Sequence, residues 1–285
     1  MPELPEVEVV RRGLTRFVAG ARVDAVEVVD ERALKRHRGD ALDFVDRLEG
    51  RTLAAPHRRG KFLWLPFADA ESVLMTHLGM SGQLLIQPPG AADERQLCAR
   101  IRLRGVDDEA YELRFVDQRR FGSLAIDGLD ASGHPTQVGH IALDPLDDEF
   151  DAALTVTRMR RSRRAIKAVL LDQAVVSGIG NIYADEALWA ARLHWGQPAN
   201  TVSVRKAHEL LREVRAVFER ALAEGGTSFD SLYVNVNGES GYFARSLNAY
   251  GRAGEPCQRC GRPLVREAFA GRSSFRCPRC QRMRY

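Results

Sequence analysis

The spacing of apolar positions changes character twice along the chain. Val7, Val10, Leu14, Phe17 and Val18 recur at helical intervals, so residues 5–19 are expected to form an amphipathic helix that ends near Gly20. Residues 22–29 alternate as a strand does, and Ala41 to Leu48 is expected as a short helix closed by Gly50. From Arg51 to Ile126 the period is two. Strands are expected at 51–57, 61–67, 72–78, 82–87, 99–105, 109–116 and 121–126, with glycine, proline or acidic turns between them. Strands so regularly spaced point to a sandwich or barrel.

Between Gly128 and Pro145 the chain turns to Gly, Asp, Pro and Ser, which places a linker at 128–148 after a first domain over 1–127. Helical spacing then returns. Ser162 is placed to cap a helix running to Asp172, followed by helices at Asn181–Arg192 and Ser203–Ala223, the last stopped by Gly225-Gly226. Residues 227–250 keep no period, and a stretch of that kind inside a compact domain is usually functional or disordered. This second domain spans 149–250, and 251–285 forms a short module of its own. The fold class is α+β and multidomain.

Charge sharpens this division. The net charge is only +4, yet 251–285 carries nine arginines against Glu255 and Glu267, and a second basic run joins Arg158, Arg160, Arg161, Arg163, Arg164 and Lys167. Such asymmetry is the footprint of a polyanion partner, although a solvated helix face would give the same count. No apolar run is long enough to cross a bilayer, and the acidic and basic residues of the first fifteen positions exclude a signal-peptide core. A cytoplasmic protein is expected, whose cysteines serve as ligands or buried thiols. Cys257-x2-Cys260 and Cys277-x2-Cys280 have the spacing of a tetrahedral zinc site. With no fifth ligand nearby, the metal would be structural. The sequence between the pairs reads as a β-hairpin with its turn near Gly271-Arg272. Cys98 stands apart as a buried thiol.

Other candidate chemistry lies in short motifs. Pro2-Glu3-Leu4-Pro5-Glu6 is either an ordinary helix start or, with Met1 removed, a secondary amine beside a carboxylate, able to form an imine and move its protons. Gly178-Ile-Gly180-Asn181 opens a helix and, with the preceding basic cluster, suits a phosphate. His77-Leu-Gly-Met80 and Arg119-Arg120-Phe121-Gly122 each lie at the end of a strand and carry side chains of the kind that fill a gap in a base stack.

Together with Gly60-Lys61 and the four cysteines, these motifs resemble the bacterial formamidopyrimidine-DNA glycosylase family, essentially end to end. The resemblance implies a helix-and-β-sandwich domain, a helix–two-turn–helix domain and a zinc-bound β-hairpin. It implies a monomer acting on damaged double-stranded DNA in base excision repair, with glycosylase and AP-lyase activities on oxidised purines. Carried over, Pro2 is the nucleophile and Glu3 the general acid/base, with Lys61 and Arg272 serving the elimination steps. Lys61, His77, Asn181, Tyr250 and Arg272 hold phosphates, Arg163 and Lys167 make further backbone contacts, and Met80, Arg119 and Phe121 occupy the emptied stack. Cys257, Cys260, Cys277 and Cys280 hold the zinc, and 227–250 matches the loop that covers the lesion. A histidine that many members carry near the strand at 95–100 has no counterpart here. Two rivals are an endonuclease VIII-like enzyme for oxidised pyrimidines, where Leu4 would be glycine, and a non-catalytic zinc-ribbon DNA binder, which leaves Pro2-Glu3 unexplained.

Overall fold

The computed structural model describes residues 2–226 and 243–283, so most of the expected lesion-covering loop and Met1 lie outside the described residues. The chain divides into two compact units, one of residues 2–140 with 224–226, the other of 141–223 with 243–283.

In the first unit, α1 (Leu4–Val18) buries the stripe Val7, Val10, Leu14 and Val18. Each such side chain removed from water contributes ~1.5–3 kcal/mol. The stripe packs into one core with two antiparallel sheets. One sheet has the order β1 (Arg22–Val28), β6 (Leu97–Arg104), β7 (Ala110–Asp117), β5 (Gly82–Gln87). The other has the order β2 (His57–Arg59), β3 (Phe62–Pro66), β4 (Ser72–His77), β8 (Ser123–Gly128). Leu63, Leu65, Leu74 and Leu124 of one sheet and Leu84, Ile101, Leu113 and Phe115 of the other belong to the same buried cluster, so this is the expected sandwich. α2 (Ala41–Leu48) adds Phe44 and Leu48 to that core, and Asp40 caps its start by accepting the Asp43 amide at 2.9 Å.

The strand expected at 51–57 did not form. Thr52 and Leu53 make only isolated bridges to Arg22 and Phe67, and ladder pairing begins after Pro56, which has no N–H to give a ladder.

The second unit contains α3 (Ala152–Arg160), α4 (Ile166–Leu170), α5 (Asn181–Ala190), α6 (Val204–Ala223) and the hairpin of β9 (Val265–Phe269) with β10 (Arg272–Arg276). Helix α3 lies where no helix was expected, and α4 is shorter than expected. Asp151 caps α3 through the Leu154 amide at 2.8 Å. Ser162 does not cap α4, which starts after Ala165; the Ile166 and Lys167 amides are taken instead by the carbonyls of Gln197 and Trp195. The hairpin and the helices share one compact unit, although 250/251 reads as a boundary in the sequence. Its turn, Ala270-Gly271, has positive φ at both residues (44° and 73°), the geometry that suits the right-handed twist of a two-residue hairpin.

Candidate active site and metal centre

At the head of α1, Pro2 and Glu3 are buried, and Glu3 is the N-cap. Its amide donates to the Glu6 carboxylate at 2.8 Å, and its own side chain accepts from the Glu6 amide, a reciprocal capping box. The helix-start reading of this stretch and the catalytic one are therefore compatible. The cap fixes the main chain that carries the Pro2 nitrogen. Gly226, at φ +84°, passes so close that a Cβ there would lie 3.2 Å from the Glu6 carboxylate. One turn further on, Glu8 is buried beside Arg11, Arg12 and Arg58, with contacts of 2.8, 2.8 and 3.2 Å. Burial opposes its ionisation, but the hydrogen bonds from Arg11 and Arg12 and the charge of Arg58 prevail, so its carboxyl falls to about 2.

At the sheet ends, Phe62 pairs with His77 and His77 with Ser123, so the turn carrying Gly60-Lys61 lies beside His77. The imidazole Nδ1 of His77 accepts the Gly79 amide at 3.1 Å, which leaves the proton on Nε2. Burial, and then the charges of Arg36, Lys61 and Lys35, pull its pKa down to about 4, so it is a neutral donor at pH 7. Met80 is half-buried, whereas Arg119 and Phe121 are exposed and stacked, guanidinium over ring at 5.2 Å. Phe121 is 51% exposed, so its ring is open to a partner from solvent.

The two turns bearing these residues are joined by a carboxylate that sequence reasoning missed. Asp117, fully buried, accepts from Ser81 Oγ at 2.6 Å and from the amides of Arg119 at 3.1 Å and Gly122 at 2.7 Å. Gly79 lies so close to Phe121 that an added Cβ would sit 2.4 Å from the Phe121 carbonyl carbon. Met80 and the Arg119–Phe121 pair are thus carried on one rigid assembly. Cys98 is buried, and its sulfur lies 2.7 Å from the Arg120 guanidinium.

In the second unit, Asn181 opens α5 behind Gly180 and donates to the Ser273 carbonyl of the hairpin at 2.9 Å. Arg272 is exposed at the hairpin turn, and Tyr250 packs edge-on against Phe275, with ring centroids 5.0 Å apart. Of Arg163, Arg164 and Lys167, Arg163 is exposed and has no acid in ion-pair reach among the described residues. Arg164 pairs with Asp172 at 2.7 Å. Lys167 is fully buried and pairs with Asp185 at 2.7 Å, so a direct phosphate contact does not fit its position. It acts as a prop for the hairpin instead. Asp185 also accepts from Ser274 Oγ and the Phe275 amide, each at 2.9 Å. Burial pushes the Asp185 carboxyl up to about 6, against the pull of Lys167. Its neighbour Glu186 accepts the amides of Asn248, Ala249 and Tyr250 at 2.9, 2.7 and 2.9 Å, and so sets where Tyr250 sits. The signal for both acids was present in the sequence: two adjacent carboxylates in a ten-residue helix that is otherwise largely apolar after Asn181.

The sulfur atoms of Cys257, Cys260, Cys277 and Cys280 all lie within 4.8 Å of one another, and Cys260 and Cys277 approach to 3.5 Å. Four thiolates around a zinc at ~2.3 Å would stand ~3.8 Å apart, so the cluster has the right span. Its chemistry also asks for a cation. Burial, together with the neighbouring Cys260 and Cys277 thiols, pushes Cys280 up to about 12. The Cys280 amide already donates to Cys277 Sγ at 3.4 Å.

Residues 1–124 match the model of the formamidopyrimidine-DNA glycosylase N-terminal domain, 141–232 that of the formamidopyrimidine-DNA glycosylase H2TH domain, and 254–282 that of a zinc finger found in FPG and IleRS. A formamidopyrimidine-DNA glycosylase of Streptomyces avermitilis is 56% identical over 99% of this chain and 98% of its own. One of Salinispora arenicola is 57% identical over 99% and 96%. The chain belongs to the formamidopyrimidine-DNA glycosylase family. Among solved structures, Lactococcus lactis Fpg bound to abasic-site DNA matches with a TM-score of 0.85 at 29% identity, covering 98% of this chain and 99% of that one. MutM in complex with DNA containing carbocyclic 8-oxo-G matches with 0.85 at 30%, covering 99% and 100%. In this family setting the four cysteines hold one structural zinc, and the metal's chemistry is to neutralise and fasten the thiolates at the base of the hairpin. No helix among the described residues is long and apolar enough to cross a membrane.

Proposed function

We propose that this protein is a bifunctional DNA glycosylase and AP lyase of base excision repair, which removes oxidised purines such as 8-oxoguanine and formamidopyrimidines from double-stranded DNA. One observation carries the reading: in a chain that belongs to this family over 99% of its residues, Pro2, directly after Met1, is buried at the head of a capped helix. With Met1 removed, Pro2 presents a terminal amine, whose ordinary pKa of about 7.7–8.0 leaves a useful fraction unprotonated at neutral pH.

The damaged nucleotide is extruded at a cost of a few kcal/mol. Met80, Arg119 and Phe121 fill the gap, with Arg119 facing the orphaned cytosine. His77, Lys61, Asn181, Tyr250, Arg163 and Arg272 hold the surrounding phosphates, and Lys167 supports the hairpin that bears Arg272. The Pro2 nitrogen then bonds to C1′ while the glycosidic bond breaks and the base departs. Glu3 supplies and takes protons at the sugar as the ring opens, leaving an iminium between nitrogen and C1′. That iminium acidifies the C2′ proton. Its loss expels the 3′ phosphate, a second elimination expels the 5′ phosphate, and water releases the proline. The cell compartment follows from the substrate: the cytoplasm, at the chromosome.

Borohydride should trap a covalent protein–DNA adduct on a duplex with 8-oxoguanine opposite cytosine. No adduct from protein shown by intact mass to begin at Pro2 would sink the catalytic reading. Full activity from protein that retains Met1, whose Pro2 nitrogen is an amide, would remove Pro2 as the nucleophile.

A further inference from the structure

The second unit holds a cavity of about 860 Å³ whose wall includes the zinc ligand Cys280 but no residue given a part in the excision or in holding DNA. It lies beside the C-terminal end of α5, where Ala190 and Leu193 form part of its wall. Asn181 is at the other end of the same helix, about 14 Å away at 1.5 Å per residue. Its volume is in the range of small-ligand sites, ~300–1,000 Å³. Five cations line it, Arg192, Arg205, Lys206, Arg259 and Arg279, against one carboxylate, Glu209. Two of the five are engaged. Lys206 pairs with Glu209 at 2.7 Å, and Arg259 donates to the carbonyls of Trp189 and Ala190 at the end of α5. Arg192, Arg205 and Arg279 are exposed and have no carboxylate in ion-pair reach among the described residues. A twenty-residue helix, α6, also begins here, with Ser203 and Arg205 on the wall and no acid in its first turn. The positive end of its dipole adds to the field of the three guanidiniums.

From this we infer that the cavity is a second anion site, built for an oligophosphate, whether carried by a free nucleotide or by a nucleic-acid strand. Guanidinium forks match tetrahedral phosphate oxygens in pairs, and a helix start favours the same charge. The mostly polar wall offers little to an apolar ligand. The inference stands apart from the excision chemistry, because the cations that carry it have no part in that chemistry, and the zinc ligand Cys280 on the wall is structural.

Inorganic tripolyphosphate titrated calorimetrically into the full-length, zinc-loaded protein should bind one to one. Binding should persist when the protein is saturated with a duplex bearing a stable abasic analogue. In Arg192→Glu/Arg205→Glu it should weaken at least tenfold while excision of 8-oxoguanine stays within twofold of wild type; Arg192→Gln/Arg205→Gln, which adds no acid, should weaken it less. Competition by a nucleoside triphosphate or by a short single-stranded oligonucleotide then identifies the natural source. Absence of binding, wild-type affinity in the Glu variant, or displacement by the duplex would each overturn the site.

Discussion

The sandwich and the ribbon each anchor a piece of the candidate machinery with a buried aspartate, but they stand on different foundations. Asp117 sits in a unit whose core gathers α1, α2 and residues from both sheets, so the turns bearing Met80, Arg119 and Phe121 are held mainly by packing. Asp185 ties the hairpin to α5, where one small apolar cluster among the described residues joins Trp189, Ala249 and Leu264 to Cys257 and Cys277. A module this short depends on its metal and on its ion pair. The two regions should therefore fail separately and under different insults.

Zinc removal is the largest break. Metal binding in small zinc modules is worth on the order of 10 kcal/mol of folding free energy. Chelation, or Cys277→Ser, should unfold the hairpin and expose the end of α5 while the sandwich keeps its hydrogen-exchange protection. It should also weaken DNA binding. Simultaneous loss of protection in both units would show that they share one foundation.

The buried pair comes next. Lys167→Met strands the Asp185 carboxylate, and losing one partner of a buried pair costs ~3–5 kcal/mol. The sign with pH is specific. Burial already raises the Asp185 pKa to about 6, so without Lys167 the group can escape the penalty by taking a proton. Loss of Lys167 lifts that pKa above 6, so urea unfolding should show a deficit that is greatest above the variant's pKa, shrinks as pH falls through it, and levels off below about 6, where the wild-type carboxyl is protonated as well. A deficit independent of pH would mean that Lys167 acts by packing alone.

On the sandwich side the effect is smaller. Asp117→Asn replaces an acceptor of two amides and one hydroxyl by a group with one acceptor oxygen, and each stranded buried donor costs ~1–3 kcal/mol. Global stability should fall by a similar amount. Excision opposite cytosine should fall too, because Met80 and Arg119 lose their common support. Normal excision in a destabilised protein would separate Asp117 from the positioning of those side chains.

The same contrast explains what could be read from the chain. Strands such as Ser72–His77 and Gly82–Gln87, helix α2 and the four-cysteine ribbon carry local signals of period, capping or ligand spacing, and local signals survive in sequence. Helix α3 was missed because Thr155, Thr157 and its arginines leave almost no apolar stripe. The start of α4 was misplaced because its first amides are satisfied by Gln197 and Trp195, 31 and 28 residues further along the chain, and no cap residue announces that. Among candidate site residues, Lys167 looked like its neighbours Arg163 and Arg164. Only the tertiary fold, which puts Asp185 opposite it, separates a buried prop from a surface cation.

His77 tests how finely the sandwich side is tuned. Its folded-state pKa of about 4 lies below the ordinary 6.5, so between those values the unfolded chain holds the extra proton. The stability this confers is complete above pH 6.5 and is lost as pH falls toward 4, with a slope of at most about 1.4 kcal/mol per pH unit for one proton. Comparison of wild type with His77→Gln removes the background from carboxylates, and the difference in slope should vanish above pH 6.5. A phosphate beside the imidazole would oppose the depression caused by Arg36, Lys61 and Lys35, so DNA binding should raise this pKa and draw in protons below neutrality. The fitted proton uptake should disappear in the Gln variant. If wild type and variant take up equal protons on binding the same duplex, His77 does not face a phosphate.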